Sequence, residues 1–373
     1  FSNIFVVQDM ISAQVARALA LALTGEEQER LRKRYTENTE AYQAYLKGRY
    51  FLTGPGNNQR TKEGIEKAGE YFKQAIAIDP AYALAYVGLA DYYITTNYYV
   101  ALPSKEAGQV NLQRARALIL KALEMDEELA EAHATLGGLL MDSGPDWSGV
   151  EKEYKRALEL NPNYAVAHHH YAGYLGWAGR IDESLAMIKR AQELDPLSPM
   201  ITRTVGGAYW QQRRFEEAVR EYRKAVELEP NFWPAYESMA MAYSHIGKHE
   251  EAIAAALKAR EITKGNLEST YILGRTYGLA GRKEETLKIL DEMNERSQRE
   301  IISPIAFAIV YQALGGEEER VLNLLEKSYE EGWLTLLSFK YDPLFDGLHS
   351  HPQFQAMMRR VDPFSSEREI QGR

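Results

Sequence analysis

Apolar and polar residues along this chain follow the three- and four-residue step of an amphipathic helix, and that step is interrupted at regular intervals. Between residues 199 and 230, Val205, Gly206 and Tyr209 fall on one face of a first helical pattern, and Ala218, Tyr222 and Ala225 on one face of a second. The break Gln212-Arg213-Arg214 separates the two patterns. Pro230 closes the second one, because proline lacks an N–H and disfavours helical geometry in the residue before it. The unit then recurs: Pro162, Pro196 and Pro230 are 34 residues apart, and so are Ala157, Ala191, Ala225 and Ala259. Alanine at these positions lets two helices approach closely, and the tyrosine fills the space beside it. A single helix pair cannot bury its apolar face alone, so successive pairs must stack into a solenoid.

A fixed 34-residue helix–turn–helix period, with Gly and Tyr in the first helix, Ala in the second and proline at the close, resembles the tetratricopeptide repeat. The resemblance implies an all-α fold, a right-handed superhelical solenoid of about eight repeats with a C-terminal cap. The array is expected over 39–331, with units beginning near Thr39 and carrying Ala68, Phe72 and Ala75, then Tyr86, Leu89 and Ala90, and so on to Phe307, Ala308 and Tyr311. Two internal loops read as expanded, LTGPGNNQRT and the stretch around TTNYYVALPSKEAG, and DSGPDWSG as a slightly long turn. The first 50 residues, from NIFVVQDM to LKGRYFL, resemble the junction at which a TolB-like domain leads into repeats in bacterial multidomain proteins. On that reading residues 1–38 are the end of a preceding domain and a linker helix, with a short strand at Ser2–Val7. Phe1 in place of a methionine fits a piece of a longer chain. Residues 332–373 resemble the segment that often follows such arrays, through the run D-P-x-F-D-x-L-x-x-x-P-x-F. Phe345, Leu348, Phe354, Met357 and Met358 are expected to cover the last repeat, and the final ten residues to fray.

Composition narrows the field without naming a ligand. A net charge of −9 disfavours nucleic-acid binding by bulk charge, and the absence of cysteine excludes disulfides and thiolate metal sites. No apolar run reaches the roughly 18 residues needed to span a membrane. A cytoplasmic location is expected ahead of a periplasmic one. No cofactor is implied, and no nucleic acid is expected for this stretch.

Candidate chemistry is sparse. His168, His169 and His170 are consecutive on a helix and therefore point about 100° apart, so they cannot share one metal. Asp342, Asp346, His349 and His351 cluster in sequence but carry no defining catalytic pattern. Phosphate-loop and zinc-protease motifs are missing. The basic stretches near Arg30 and Arg213 alternate with glutamates and read as solvated faces. We therefore expect no catalytic residue and no enzyme.

The resemblance points instead to the concave groove, which the first helix of each unit lines in this repeat family. Carried over by position, the groove of repeats four to six presents His169, His170, Gly173 and Trp177, then Arg203, Gly207, Trp210 and Gln211, then Met241 and His245. Trp177 and Trp210 beside glycine-opened faces suit apolar anchors, or else they pack on the next repeat; both readings stay open here. The Lys, Asn and Arg set that clamps chaperone tails is absent, since its positions hold His169, Gly173, Thr204, Pro234 and Ser238. The expected partner is a protein or peptide segment, bound by one arm of a larger bacterial regulator. Two alternatives remain: a sensing or autoinhibitory part of an enzyme or transcription regulator whose active module lies upstream, and a self-assembly module. If the register is right, Ala225→Leu overpacks a helix crossing and costs about 1–3 kcal/mol in urea unfolding. An unchanged midpoint would mean the register is shifted.

Overall fold

A computed structural model of the chain describes residues 35–53, 61–100, 105–143, 147–331 and 339–362. The strand and helices expected before residue 35, the expanded turn at 54–60, the segment 332–338 and the tail after Asp362 lie outside the described residues. Among those residues there are seventeen α-helices and no strand. They fall into two compact units, residues 1–162 and 163–373.

The first unit holds α1 (Thr39–Thr53), α2 (Lys62–Ile78), α3 (Ala83–Tyr99), α4 (Lys105–Met125), α5 (Ala130–Ser143) and α6 (Trp147–Leu160). They pack as successive pairs, and the first helices of neighbouring pairs also touch. Phe72 is wholly buried between the helices because Gly48 and Gly88 leave it room; a Cβ on Gly88 would stand 2.4 Å from its ring. Across the first helices, Asp91 takes Arg49 at 2.8 Å on one side and the Thr135 hydroxyl at 3.2 Å on the other. One expectation is corrected here. The stretch TTNYY is not loop: α3 runs on through it to Tyr99, with the Thr96 hydroxyl donating to the Tyr92 carbonyl at 2.7 Å.

The second unit continues with α7 (Ala165–Trp177), α8 (Ile181–Leu194), α9 (Pro199–Gln211), α10 (Phe215–Leu228), α11 (Trp233–His245), α12 (His249–Thr263), α13 (Leu267–Leu279), α14 (Lys283–Ser297), α15 (Pro304–Leu314) and α16 (Glu318–Glu330). A 3-10 helix (Pro343–Leu348) and α17 (Pro352–Val361) complete it. Each odd-numbered helix from α7 to α15 is followed by a tight turn in which one residue takes a left-handed conformation. These residues are Gly179, Arg213, Gly247, Gly281 and Gly315, 34 apart, with φ between 60° and 80°. At the first four turns the following N–H returns to a carbonyl five residues back, as from Arg214 to Tyr209 at 2.9 Å. Glycine suits this position because it has no Cβ to clash. Arg213, with φ 60°, is the exception. Lys264 stands where the sequence pattern expects proline; it ends α12 in a left-handed turn with Gly265, and Asn266 then caps α13.

The first helices of this unit line up side by side, each touching the next, which makes them one continuous inner face. At its far end Phe345, Leu348, Phe354 and Met357 are buried against Ile309, Val321 and Leu325, and Phe339 stacks on Phe345 at 4.4 Å. Two aspartates of this segment reach back to the repeats. Asp342 forms a two-pronged pair with Arg275, whose side chain is only 2% exposed. Asp346 does the same with Arg213 at 2.6 and 2.7 Å, but there the two side chains are 50% and 43% exposed. A buried charge left alone costs far more than an exposed one. Asp342→Ala should therefore lower stability by about 3–5 kcal/mol in urea unfolding. Asp346→Ala should lower it by at most about 1 kcal/mol. Equal losses would contradict the burial difference.

Candidate functional site

The 34-residue register brings His169 on α7, Arg203 on α9, Glu237 on α11 and Tyr271 on α13 to the same position of four successive first helices. Each of the first two reaches the residue one position further along in the next repeat. His169 Nε2 lies 3.0 Å from Thr204 Oγ1, and Arg203 Nε donates to Ser238 Oγ at 2.9 Å. Both hydroxyls donate backwards within their own helices, Thr204 to the Met200 carbonyl and Ser238 to the Pro234 carbonyl, each at 2.9 Å. Since the Thr204 proton is so engaged, His169 Nε2 must carry the hydrogen of its bond. These rungs form a ladder across the inner face. It stops at Glu237, because the next matching residue is Ile272, which offers no hydroxyl.

Glu237 is 4% exposed and its Oε1 has no hydrogen-bond partner. Burial, reinforced by the charge of Glu268 on α13, pushes its carboxyl well above the usual carboxylate range, while Arg203 opposes the shift. Glu268 stands at the solvent-exposed rim beside it and is likewise raised, by the protein crowding it.

The sequence-selected groove residues divide into two groups. Gly173 and Gly207 face open space, with nothing within 4 Å of where a Cβ would be, so they do leave room on the helix surface. Half-buried Arg203, half-buried His169 and exposed His170 sit along the same strip. The others are more enclosed than an exposed anchor should be. Trp210 is half-buried and packs edge-on against Phe215 and His245, ring centres 5.1 Å away in both cases. Trp177 is also half-buried, Met241 packs against the core around Leu273 and Ile289, and Gln211 fills the space beside Gly176. The three consecutive histidines diverge as their spacing requires: His168 is buried with Nδ1 2.8 Å from Met187 Sδ, His169 turns to Thr204, and His170 points outward to solvent.

His245 belongs to the C-terminal contact rather than to an open groove. Its Nε2 lies 3.1 Å from Arg275 Nη2, and since arginine only donates, this nitrogen must accept and the ring must be neutral. Burial and the adjacent Arg275 guanidinium push its pKa down to about 4. Asp342 and Asp346, clustered in sequence with His349 and His351, each hold an arginine. His351 caps α17, and His349 stacks on Phe354. Among the described residues no group of three His, Asp or Glu side chains is placed to hold a metal, and no helix is long and apolar enough to cross a membrane.

Helix pairs at this period, each joined by a left-handed turn and stacked with their first helices inward, define a helical-repeat solenoid. Residues 203–232 and 221–254 match the tetratricopeptide repeat family, and the chain carries tetratricopeptide repeats there. Among solved structures, the human IFIT1 dimer with PPP-AAAA is similar at 17% identity, covering 93% of this chain and 75% of that one with a TM-score of 0.57. PilF of Pseudomonas aeruginosa matches at 19% identity over 60% of this chain and 95% of its own, with a TM-score of 0.47. YrrB, described as a tetratricopeptide-repeat protein with an unusual peptide-binding site, matches at 22% identity over 46% and 89%, with a TM-score of 0.36. No curated protein matches the chain.

The low pKa of His245 has a stability consequence. Between its usual value of 6.5 and about 4 the unfolded chain binds a proton that the folded protein refuses, so the stability contributed by the neutral ring is lost as pH falls through that window. His245→Gln should remove this share of the acid loss, seen as a flatter melting temperature between those pH values. A variant that loses stability as steeply as the parent would place the titration elsewhere.

Proposed function

We propose that this protein is a non-catalytic scaffold that binds a protein or peptide segment on the inner face of repeats four to six. The observation that carries the reading is the strip of first-helix surface kept open at Gly173 and Gly207, with Arg203, His169 and His170 beside it. A glycine inside an exposed helical face costs roughly 0.5–1 kcal/mol relative to alanine. Two of them at the same register position, with no neighbour demanding the space, favour close approach by something outside the chain. The other end of the inner face supports the same choice. Asp342 and the 3-10 helix lie against α13 and α15 there, through Arg275 and through Gln312, whose amide donates to the Leu344 carbonyl at 3.1 Å. An incoming segment is left with α7, α9 and α11.

Trp210 acts in this reading as the wall of the groove. Its ring, fixed by Phe215 and His245, presents one flank to a partner and holds the strip's shape with the other. The similarity of the first 50 residues to a TolB-like junction supports placing the scaffold as one arm of a larger bacterial regulator.

Gly207→Gln tests the site without threatening the fold. Glutamine is the better helix former, so the melting temperature should hold or rise, while the side chain fills the strip. Partners captured by the parent protein and identified by mass spectrometry should bind the variant at least about tenfold more weakly, a loss of the size of one hot-spot contact. Undiminished capture at an unchanged melting temperature would move the site off this face.

A further inference from the structure

The ladder of inner-face hydrogen bonds leaves one group without its counterpart. His169 and Arg203 each find a hydroxyl in the next repeat, but Glu237, the next member of the row, meets Ile272. The result is a carboxyl oxygen that is buried and unpartnered, on a side chain 4% exposed. Such an atom costs free energy, more if charged, and calls for an explanation beyond the fold. Nothing within the described residues neutralises it. The cation whose charge acts on it, Arg203, is directed to Ser238 Oγ and to the Pro234 carbonyl at 3.2 Å, and makes no ion pair with Glu237. A second carboxylate, Glu268, stands at the rim on α13, close enough for the two charges to repel and engaged in no ion pair among the described residues. The fourth group is the Tyr271 hydroxyl, whose proton is held more tightly by burial and by the charge of both acids.

We propose that Glu237 and Glu268 form a receptor for a basic side chain, a lysine ammonium or arginine guanidinium, carried by the protein segment that lies on α9 and α11. The proposal rests on the reading of the inner face as the binding surface and adds what the partner must bring. Charge decides the class of ligand. Two neighbouring carboxyls, one with an unpaired oxygen, reject an acidic residue, and a neutral donor would satisfy Oε1 without offsetting the charge. A cation satisfies Oε1 and relieves the repulsion together. The groove thereby acquires a direction. The partner's basic residue sits between α11 and α13, and its small or apolar residues run past Gly207 and Gly173 toward α7. Without a ligand, burial and the Glu268 charge favour the protonated form of the Glu237 carboxyl. When a cation arrives the carboxyl releases that proton to water and the ion pair forms in its place.

Carbon-13 NMR of the glutamate carboxyls, with butylammonium and ethylguanidinium as probes and butanol as the neutral control, tests this directly. Both cations should lower the titration midpoint of Glu237 by about one pH unit, which corresponds to about tenfold tighter binding of the cation to the carboxylate than to the acid. Butanol should leave the midpoint where it is. Glu237→Gln should abolish the probe's effect on Glu268. Ile272→Thr, which restores the missing rung as an acceptor for the protonated Glu237 carboxyl, should weaken probe binding several-fold while keeping both acids. A Glu237 midpoint that no cation moves, or probe binding indifferent to both substitutions, would overturn the receptor. The inner-face reading has its own failure, since it falls if partner capture survives Gly207→Gln even where the cations do bind Glu237. Conversely, capture that is lost with Gly207→Gln but untouched by Glu237→Gln keeps the groove and overturns the basic anchor.

Discussion

Within each repeat the two helices come so close that a single methyl group decides the geometry. A Cβ on Gly206 would stand 2.4 Å from the Tyr222 ring, and one on Gly137 2.9 Å from Tyr154. Where a glycine on the first helix meets an aromatic on the second, as in these pairs, the two fix the distance at which the helices pack. Once that distance is fixed, apolar surface remains on the flanks of the pair, and only another pair can cover it. The 34-residue period follows from this packing: two helices, a left-handed turn and a closing proline or its substitute make the shortest unit that meets the requirement.

The inner face inherits its chemistry from the same constraint. Because first helices touch first helices, a polar side chain there meets the next repeat at a fixed offset, and hydroxyls at that offset become rungs. The face is thus polar, ordered and largely self-satisfied, with glycine strips where nothing fills it. The chain closes it at one end by its own means. Arg275 is buried and would be intolerable alone, so the Asp342 contact is part of the fold. Arg213, in contrast, holds Asp346 at the surface from a turn position that four other repeats give to glycine. Left-handed backbone in a residue with a Cβ costs of order 1–2 kcal/mol. That cost is retained here where the side chain makes a long-range pair.

Much of the architecture was legible in the sequence because its causes are local. The prolines, the alanine column and the tyrosines mark helix ends and crossings without reference to any distant residue. Boundaries failed where local composition misled. Asn97 and its neighbours look like loop, yet α3 runs through them because the Asn97 amide finds the Gly108 carbonyl at 3.0 Å. The candidate site was legible only in part. Gly173 and Gly207 were found from their recurrence, but the packing of Trp210 on Phe215 and His245 depends on how one repeat sits on the next. The arginine–aspartate pairs join residues 67 and 133 positions apart, which no pattern within a repeat can announce. Two signals were nonetheless present. Arg213 is the one non-glycine in its turn column, and Ile272 is the first apolar residue after Thr204 and Ser238 in the ladder column.

The central claim is that partners lie on the first helices of repeats four to six. Hydrogen exchange measured by mass spectrometry, on the full chain with and without a captured partner, addresses it without any substitution. Binding on the inner face predicts slowed exchange in α7, α9 and α11, with α8, α10 and α12 unchanged. Protection confined to the second helices or to the turns between repeats would contradict it.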